Sequence, residues 1–165
     1  MIGKFSKSDM FKSMWTNPVA TKAMLWAKLP LAAFAGLRVI KLDENGAEVR
    51  LPAGWKTQNP FRSTYFAAQA MAAEMSTGAP ALLYIEQSGK SIASLVTGLT
   101  AKFTKKATTT AIFAFTGGAD MRAAIEKASQ QDEPVVFTAK SAGTQKDGAV
   151  IAEFEITWSF KRRKS

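Results

Sequence analysis

The chain has 165 residues, the length of a single globular domain, and we take residues 1–165 as one domain. Hydrophobic residues make up 47% of it and charged residues 21%, which argues against intrinsic disorder and low-complexity classes. The chain has no Cys and no His, which excludes disulfides, zinc sites built on these residues, cysteine nucleophiles and imidazole-based triads. Any catalysis must therefore use carboxylates, Lys, Tyr, hydroxyls or backbone amides.

The net charge of +9 points to an anionic partner, and the alternatives are nucleic acid, a membrane surface and a phosphorylated ligand. Many of the cations lie near the two ends of the chain, where charged runs are most often solvated. The sequence has no RNP-like aromatic strand, no KH-type GxxG clamp and no helix-turn-helix pattern, so we expect no nucleic-acid partner. These terminal cations are Lys4, Lys7, Lys12, Lys22, Lys28, Lys161, Arg162, Arg163 and Lys164.

No stretch approaches the roughly 18 apolar residues of a membrane span. The most apolar segment, residues 25–37, is interrupted by Lys28 and Pro30. The pattern of a signal peptide is also missing. We therefore expect a cytoplasmic protein without an integral membrane segment.

The first predicted elements are helices. Asn17 followed by Pro18 is typical of a helix start, and the apolar pattern that follows extends to Lys28. Pro30 ends this helix, and a second short helix is predicted over residues 31–35, with Gly36 as its terminator. Residues 1–36 are thus an N-terminal helical extension. Large apolar side chains are frequent in this extension and just after it. We expect them either to form core or to line an acyl pocket. They are Phe5, Phe11, Met14, Trp15, Trp26 and Trp55.

From Leu37 the apolar pattern changes to a period of two, and Asn45-Gly46 separates two alternating runs. This dipeptide is the strongest short-range signal of a β-hairpin. Residues 60–77 then predict one long helix, capped by Asn59, opened by Pro60 and closed by Gly78. Ala67 and Ala70 give that helix a face of small residues.

After the long helix, short strands alternate with turns, and one helical segment interrupts them. The last strand has the clearest alternation, with Val150 and every second residue to Phe160 on one face. Strands are predicted over residues 81–86, 92–103, 108–116, 135–142 and 150–160, and a helix over 119–129.

One long helix among antiparallel strands predicts an α+β protein in which a curved sheet wraps a central helix, the hotdog arrangement. The segment from Asn59 through Tyr65, Phe66 and Ala67 to Glu74 resembles the central-helix signature of hotdog-fold acyl-CoA thioesterases of the phenylacetyl-CoA type. The spacing of Asn59 and Glu74 matches the Asn and the acid of that family. Tyr65-Phe66-Ala67 replaces its His-Gly-Gly, so the chain is more similar to the uncharacterised branch of hotdog proteins known only as a domain of unknown function.

The resemblance implies a homodimer or higher oligomer that acts on an acyl-CoA, with coenzyme A as part of the substrate and no separate cofactor or metal. It also implies that Glu74 activates water or attacks directly, while Asn59 orients water or substrate and amides at the helix start polarise the carbonyl. The substrate-binding candidates are Arg62, Tyr65, Phe66, Ala67 and Lys102.

Each of these residues also has a structural interpretation. Asn59 can be a plain helix cap. Glu74 is expected in the last turn of the helix, pointing to the apolar side, where a carboxylate opposes the helix dipole; it can also be satisfied by a neighbouring cation. Lys102, with Lys105 and Lys106, can be a solvated strand end instead of a site for the coenzyme A diphosphate.

Two function classes therefore stay open: a thioester hydrolase, and a fatty-acyl or hydrophobic-ligand binding module without turnover. The replacement of His-Gly-Gly by Tyr65-Phe66-Ala67 favours the second. A basic domain that binds RNA or a membrane surface rests on net charge alone and ranks last.

Overall fold

The computed structural model describes residues 7–164, which form an α+β domain. Three helices precede the first hairpin, one long helix follows it, and a fifth helix lies between two strands. The helices are α1 Lys7–Thr16, α2 Pro18–Lys28, α3 Pro30–Ala35, α4 Phe66–Ser88 and α5 Gly118–Gln130. The strands are β1 Arg38–Asp43, β2 Gly46–Leu51, β3 Ile92–Phe103, β4 Ala111–Phe115, β5 Val135–Gln145 and β6 Val150–Arg162.

The six strands form one sheet in the order β1-β2-β4-β5-β6-β3, and every neighbouring pair is antiparallel. The predicted hairpin is confirmed: β1 and β2 meet at Asn45-Gly46. Gly46 has φ 146°, and a Cβ there would lie 1.9 Å from the carbonyl oxygen of Phe115, so only glycine fits. β3 pairs with β6 along its whole length and forms one edge of the sheet.

Helix α4 packs across the sheet and contacts β2, β4, β5 and β6. Its sheet-facing positions are small: Ala72 and Ala73 are fully buried, and Ala79 is 1% exposed. Small side chains allow the helix backbone to approach the strands closely. The strands thus wrap a buried central helix, and the hotdog fold predicted from the sequence is confirmed.

The boundaries predicted for this helix are wrong at both ends, because α4 spans Phe66–Ser88 instead of residues 60–77. Asn59 begins a turn, in which its Oδ1 accepts hydrogen bonds from the amides of Phe61 and Ser63. The N-cap is Tyr65. An Asn side chain satisfies a turn as readily as a helix start, so the Asn-Pro signal was ambiguous.

At its other end α4 continues through Gly78 and Pro80, and the strand predicted over residues 81–86 is in fact its last two turns. Both residues usually interrupt a helix. Here the helix is held by tertiary packing: Leu83 is fully buried, and Tyr84 donates a hydrogen bond to the carbonyl of Glu44. The burial of these side chains against the rest of the protein thus keeps the segment helical, although Gly78 and Pro80 have low helix propensity.

The predictions for the other elements agree with the structure more closely. Asn17 caps α2 by accepting from the amides of Val19 and Ala20, and Gly36 ends α3 with φ 79°. β3 and α5 have the predicted positions, whereas α1 had no sequence signal that we used. In β6 the alternation fails at its start, where Val150 is exposed and Ile151 is buried, because the register shifts opposite Gly143 and Thr144. No helix within residues 7–164 is both long and apolar enough to cross a bilayer.

Candidate functional site

An open groove of about 600 Å³ lies where helix α4 begins, between the turn that precedes the helix and the end of β3. Aromatic rings form much of its wall. The Tyr65 and Phe66 rings meet edge to face at 4.8 Å between centroids, and Phe66 meets Phe103 at 6.4 Å. Tyr65, Phe66 and Phe103 are all about half exposed, so the groove offers apolar surface to a ligand.

Asn59 lies at this groove with its amide oriented by local hydrogen bonds. Its Oδ1 accepts from the amide of Phe61, and from both the amide and the hydroxyl of Ser63. Its Nδ2 has no acceptor among residues 7–164. The side chain is therefore fixed by its oxygen, and its nitrogen is left as a donor.

The start of α4 supplies further donors. The Tyr65 amide donates to the carbonyl of Thr57, and the first helical bonds begin at Ala68. The amides of Phe66 and Ala67 have no acceptor within the described part of the chain, as expected for the first turn of a helix. Two amides with the positive end of the helix dipole suit a developing oxyanion.

Gln69 is a groove residue that the sequence did not reveal. Its Nε2 donates to the carbonyl of Thr64, whereas its Oε1 is buried and has no hydrogen-bond partner in the described part of the chain. The residue is only 5% exposed. Such an orphaned acceptor is unusual in a folded protein. It marks the groove as a place where a ligand or water completes the hydrogen bonding.

The cations predicted to bind the ligand are distributed unevenly around this groove. Lys105 and Lys106 line it, and Lys105 forms an exposed ion pair of 3.0 Å with Asp147. Lys102 projects from the other face of β3, opposite the exposed Glu153. Arg62, with φ 56°, lines a neighbouring cavity of about 240 Å³.

Glu74 lies in the middle of α4, so its predicted place in the last turn is wrong, whereas the prediction that it points to the apolar side is confirmed. Burial raises the pKa of its carboxyl above the ordinary value. No cation or hydrogen-bond donor pairs with that carboxyl among residues 7–164, although Lys28 lines a cavity that it also reaches. Its Oε1 lies over Gly78, where an added Cβ would be 3.1 Å away.

Glu74 and Asn59 therefore do not share a site within one chain. Asn59 lines the groove, whereas Glu74 lines two apolar cavities, of about 190 and 260 Å³, between α4 and the N-terminal helices. The extended helix boundary explains this separation, because residues 59–65 are not helical and carry Asn59 away from the axis of α4.

Residues 18–160 match the family described as "Domain of unknown function (DUF4442)". The chain belongs to this family. A comparison with curated protein sequences found no significant match.

Solved structures show that this DUF4442 protein shares its fold with several bacterial proteins. One is from Pseudomonas aeruginosa, described as a "Protein of Unknown Function PA5026" and "Probable Thioesterase": its TM-score is 0.74 at 18% identity, covering 96% of this chain and 97% of that one. Thioesterase HI1161 from Haemophilus influenzae has a TM-score of 0.59 at 13% identity, with 90% and 95% covered. The PaaI protein from the phenylacetic acid degradation operon of E. coli has a TM-score of 0.57 at 15% identity, with 92% and 97% covered.

Proposed function

We propose that this DUF4442 protein binds an acyl thioester such as an acyl-CoA and hydrolyses it, in a site that two copies of the chain complete. The observation that carries the proposal is Glu74, a partly buried carboxyl with a raised pKa and no cationic partner in the described chain. Structural ion pairs do not account for it. A carboxyl with these properties at the mouth of an apolar cavity suits a general base.

A homodimer would bring the two separated parts of the site together. β3 is a sheet edge of twelve residues, and its apolar residues Leu95 and Leu99 are 65% and 49% exposed. Two copies that pair this edge antiparallel about its middle place Ser94 of one chain opposite Ala101 of the partner subunit. Ser94 lines the smaller cavity at Glu74, and residue 103 lines the groove. The carboxyl of each protomer would then face the groove of the other.

The chemistry follows from these groups. In the groove, the amides of Phe66 and Ala67, with Asn59 Nδ2, donate hydrogen bonds to the thioester carbonyl oxygen. Glu74 from the other protomer takes a proton from water, whose oxygen attacks the carbonyl carbon. The tetrahedral intermediate collapses, the carbon–sulfur bond breaks, and the thiolate takes the proton to leave as coenzyme A thiol, while the acyl group leaves as a carboxylic acid.

The remaining candidates have roles in binding. Lys105 and Lys106 at the groove attract the diphosphate of coenzyme A, and Lys102 and Arg62 extend the positive charge around it. The rings of Tyr65 and Phe66 contact the apolar part of the ligand. The chain is then one hotdog domain, to which the helices within residues 7–35 add an N-terminal extension.

Hydrolysis of an acyl-CoA series by the wild type and by Glu74→Gln tests the proposal. We expect the wild type to release coenzyme A and the variant to lose this activity. Glu86→Gln is the matched control, because Glu86 is an exposed carboxylate on the same helix. Glu74→Gln with unchanged turnover would refute the assigned role.

The second candidate is a binding module without turnover, favoured by the bulky Tyr65 and Phe66 rings packed together at the helix start. Thermal melts with acyl-CoA, compared with an assay for released thiol, distinguish this binding module from a hydrolase. A wild type that is stabilised by acyl-CoA but releases no thiol would support the binding module, since a ligand that prefers the native state raises its apparent stability.

A further inference from the structure

An apolar cavity of about 190 Å³, partly open to solvent, lies between the N-terminal helices and α4, and the proposed chemistry assigns no part of the ligand to it. Helix α1 contributes Trp15, the junction of α2 and α3 contributes Leu29, and α4 contributes Met75 and Leu82. Trp158 of β6 closes it from the sheet. Because Glu74 also lines this cavity, a ligand held there would reach the proposed general base.

The two tryptophans of this cavity differ in their hydrogen bonding. Trp158 Nε1 donates to Thr77 Oγ1 at 3.0 Å. Trp15 is 4% exposed, and its Nε1 is buried with no acceptor among residues 7–164. A buried N–H without a partner is costly, and most native structures avoid it. Trp15 lines the cavity, so a ligand oxygen that reaches this N–H from there would supply the missing acceptor.

The volume of the cavity limits what it can take. A dry protein cavity of about 150 Å³ holds benzene, so this one suits an acyl group of roughly six to eight heavy atoms. A second cavity of about 260 Å³ adjoins it, and both are lined by Leu29, Glu74 and Met75. Leu29 therefore lies at the boundary between the two spaces.

We infer that this cavity receives the acyl group of the ligand, that Trp15 selects acyl groups carrying a hydroxyl or keto oxygen along the chain, and that Leu29 limits their length. The identity of the ligand as an acyl thioester rests on the proposed function, which this inference deepens. The thioester carbonyl itself stays with the amides at the start of α4, so the oxygen that Trp15 binds is an additional one. Trp15 precedes the residues that match the family, 18–160.

The first test measures binding without hydrolysis, using coenzyme A thioethers that have no thioester carbonyl. S-hexyl-CoA is compared with a panel of the same thioether carrying one hydroxyl or keto group at successive carbons. We expect the wild type to prefer at least one oxygenated member by about fivefold to tenfold, the factor that one hydrogen bond gives. Trp15→Phe keeps a ring but removes the N–H, and it should abolish that preference.

Trp26→Phe is the matched control, because Trp26 is 51% exposed on α2, and it should keep the preference. The selection by Trp15 is refuted if no oxygenated thioether is preferred, or if Trp15→Phe retains the preference of the wild type. Thermal melts of each variant establish that it is folded.

The second test locates the acyl group independently of Trp15. Leu29→Ala should join the two cavities and raise the affinity for S-decyl-CoA relative to S-hexyl-CoA by about tenfold, the factor for burying two more methylene groups. Val19→Ala, at an 81% exposed position of α2, should leave that ratio unchanged. An unchanged ratio in Leu29→Ala would overturn the placement of the acyl group.

The binding tests separate this inference from the proposed hydrolysis. If the thioethers bind as expected but no acyl-CoA is hydrolysed, the enzymatic proposal fails and the cavity assignment stands. If Glu74→Gln abolishes hydrolysis while Trp15→Phe and Leu29→Ala leave the binding ratios unchanged, the cavity assignment fails and the enzymatic proposal stands.

Discussion

At the scale of single residues, the carboxyl of Glu74 links the proposed chemistry to measurable behaviour. Burial raises the pKa of this carboxyl, whereas the exposed carboxyls of Glu44 and Asp147 have lowered pKa values because lysines or backbone amides stabilise their charge. Replacing Glu74 by Gln keeps the shape of the side chain and removes the base. We expect kcat to fall by about 10²- to 10⁴-fold in steady-state hydrolysis, the usual contribution of general base catalysis.

The affinity of Glu74→Gln for a non-hydrolysable thioether should stay near that of the wild type, because the amide fills the same space. A similar fall of kcat in Glu86→Gln would show that the loss reflects charge on α4 in general. The two measurements together distinguish a base from a residue that only holds the ligand.

The raised pKa of Glu74 also predicts a pH dependence of stability. The unfolded chain releases this proton at lower pH than the folded protein, so between the two pKa values the folded state binds more protons. Its contribution to stability therefore declines as the pH rises from the ordinary Glu pKa of 4.5 through the raised value. Urea unfolding at a series of pH values from about 4 upward should show Glu74→Gln gaining stability relative to the wild type as the pH increases.

The carboxyls with lowered pKa values contribute in the opposite direction, and their stabilisation is lost as the pH falls. Both proteins share them, so they cancel in the difference between the wild type and Glu74→Gln. A constant difference across the range would show that Glu74 titrates in the same way in the folded and unfolded chains.

At the scale of elements, the close packing within the sheet predicts which glycine cannot be replaced without loss of stability. Gly143 on β5 faces the buried Phe113 ring, and an added Cβ would lie 2.5 Å from two ring atoms. Because Phe113 is fully buried, the ring cannot easily move away. Gly143→Ala should therefore lower the free energy of unfolding by about 1 to 3 kcal/mol, as overpacking typically does.

Gly98→Ala on β3 is the control, since its Cβ would lie 3.6 Å from Thr157, an ordinary contact. Chemical denaturation of the three proteins measures the difference. Equal stability of the two variants would mean that the sheet accommodates the methyl group by shifting its strands.

The sequence predicted an element correctly where the signal came from neighbouring residues, and it failed where the element depends on distant contacts. The Asn45-Gly46 turn and the Asn17 cap depend on neighbouring residues alone, and both were predicted correctly. The course of α4 through Pro80 depends on burial against the sheet, which no local pattern reveals. For the site, the spacing from Asn59 and the apolar side of the helix make Glu74 a candidate in the sequence, whereas Gln69 and the N–H of Trp15 become visible only when their surroundings are known.

At the scale of the whole molecule, the edge formed by β3 predicts the assembly. Open strand edges with exposed apolar side chains favour pairing with another copy. Light scattering should therefore give a dimer at micromolar concentration. Leu95→Glu with Leu99→Glu should produce a monomer, because the dimer would have to bury these charges at an edge that is apolar in the wild type.

Val19→Glu, at an exposed position of α2, serves as the control for added charge. It should remain dimeric. The mass of one chain is 17.8 kDa. A wild type of that mass in light scattering would contradict the dimer, and it would also contradict the site that two copies share.

The positive charge of the molecule predicts that it binds anions weakly and that this binding weakens as the salt concentration rises. The cations are dispersed over helices, strands and loops, whereas tight nucleic-acid binding needs a continuous patch and an element that reads bases. Fluorescence anisotropy with RNA and DNA should show no submicromolar binding at physiological salt. Tight binding under those conditions would favour the RNA-binding alternative.

The proline within α4 has a consequence for the order in which the chain folds. Pro80 lacks the amide that would bond to the carbonyl of Ser76, so α4 has one helical hydrogen bond fewer between its last turns and the turn before them. Contacts such as the bond from Tyr84 to the carbonyl of Glu44 hold those turns instead. We therefore expect residues 81–88 to become helical later than the first part of α4, as the first hairpin forms its contacts with them.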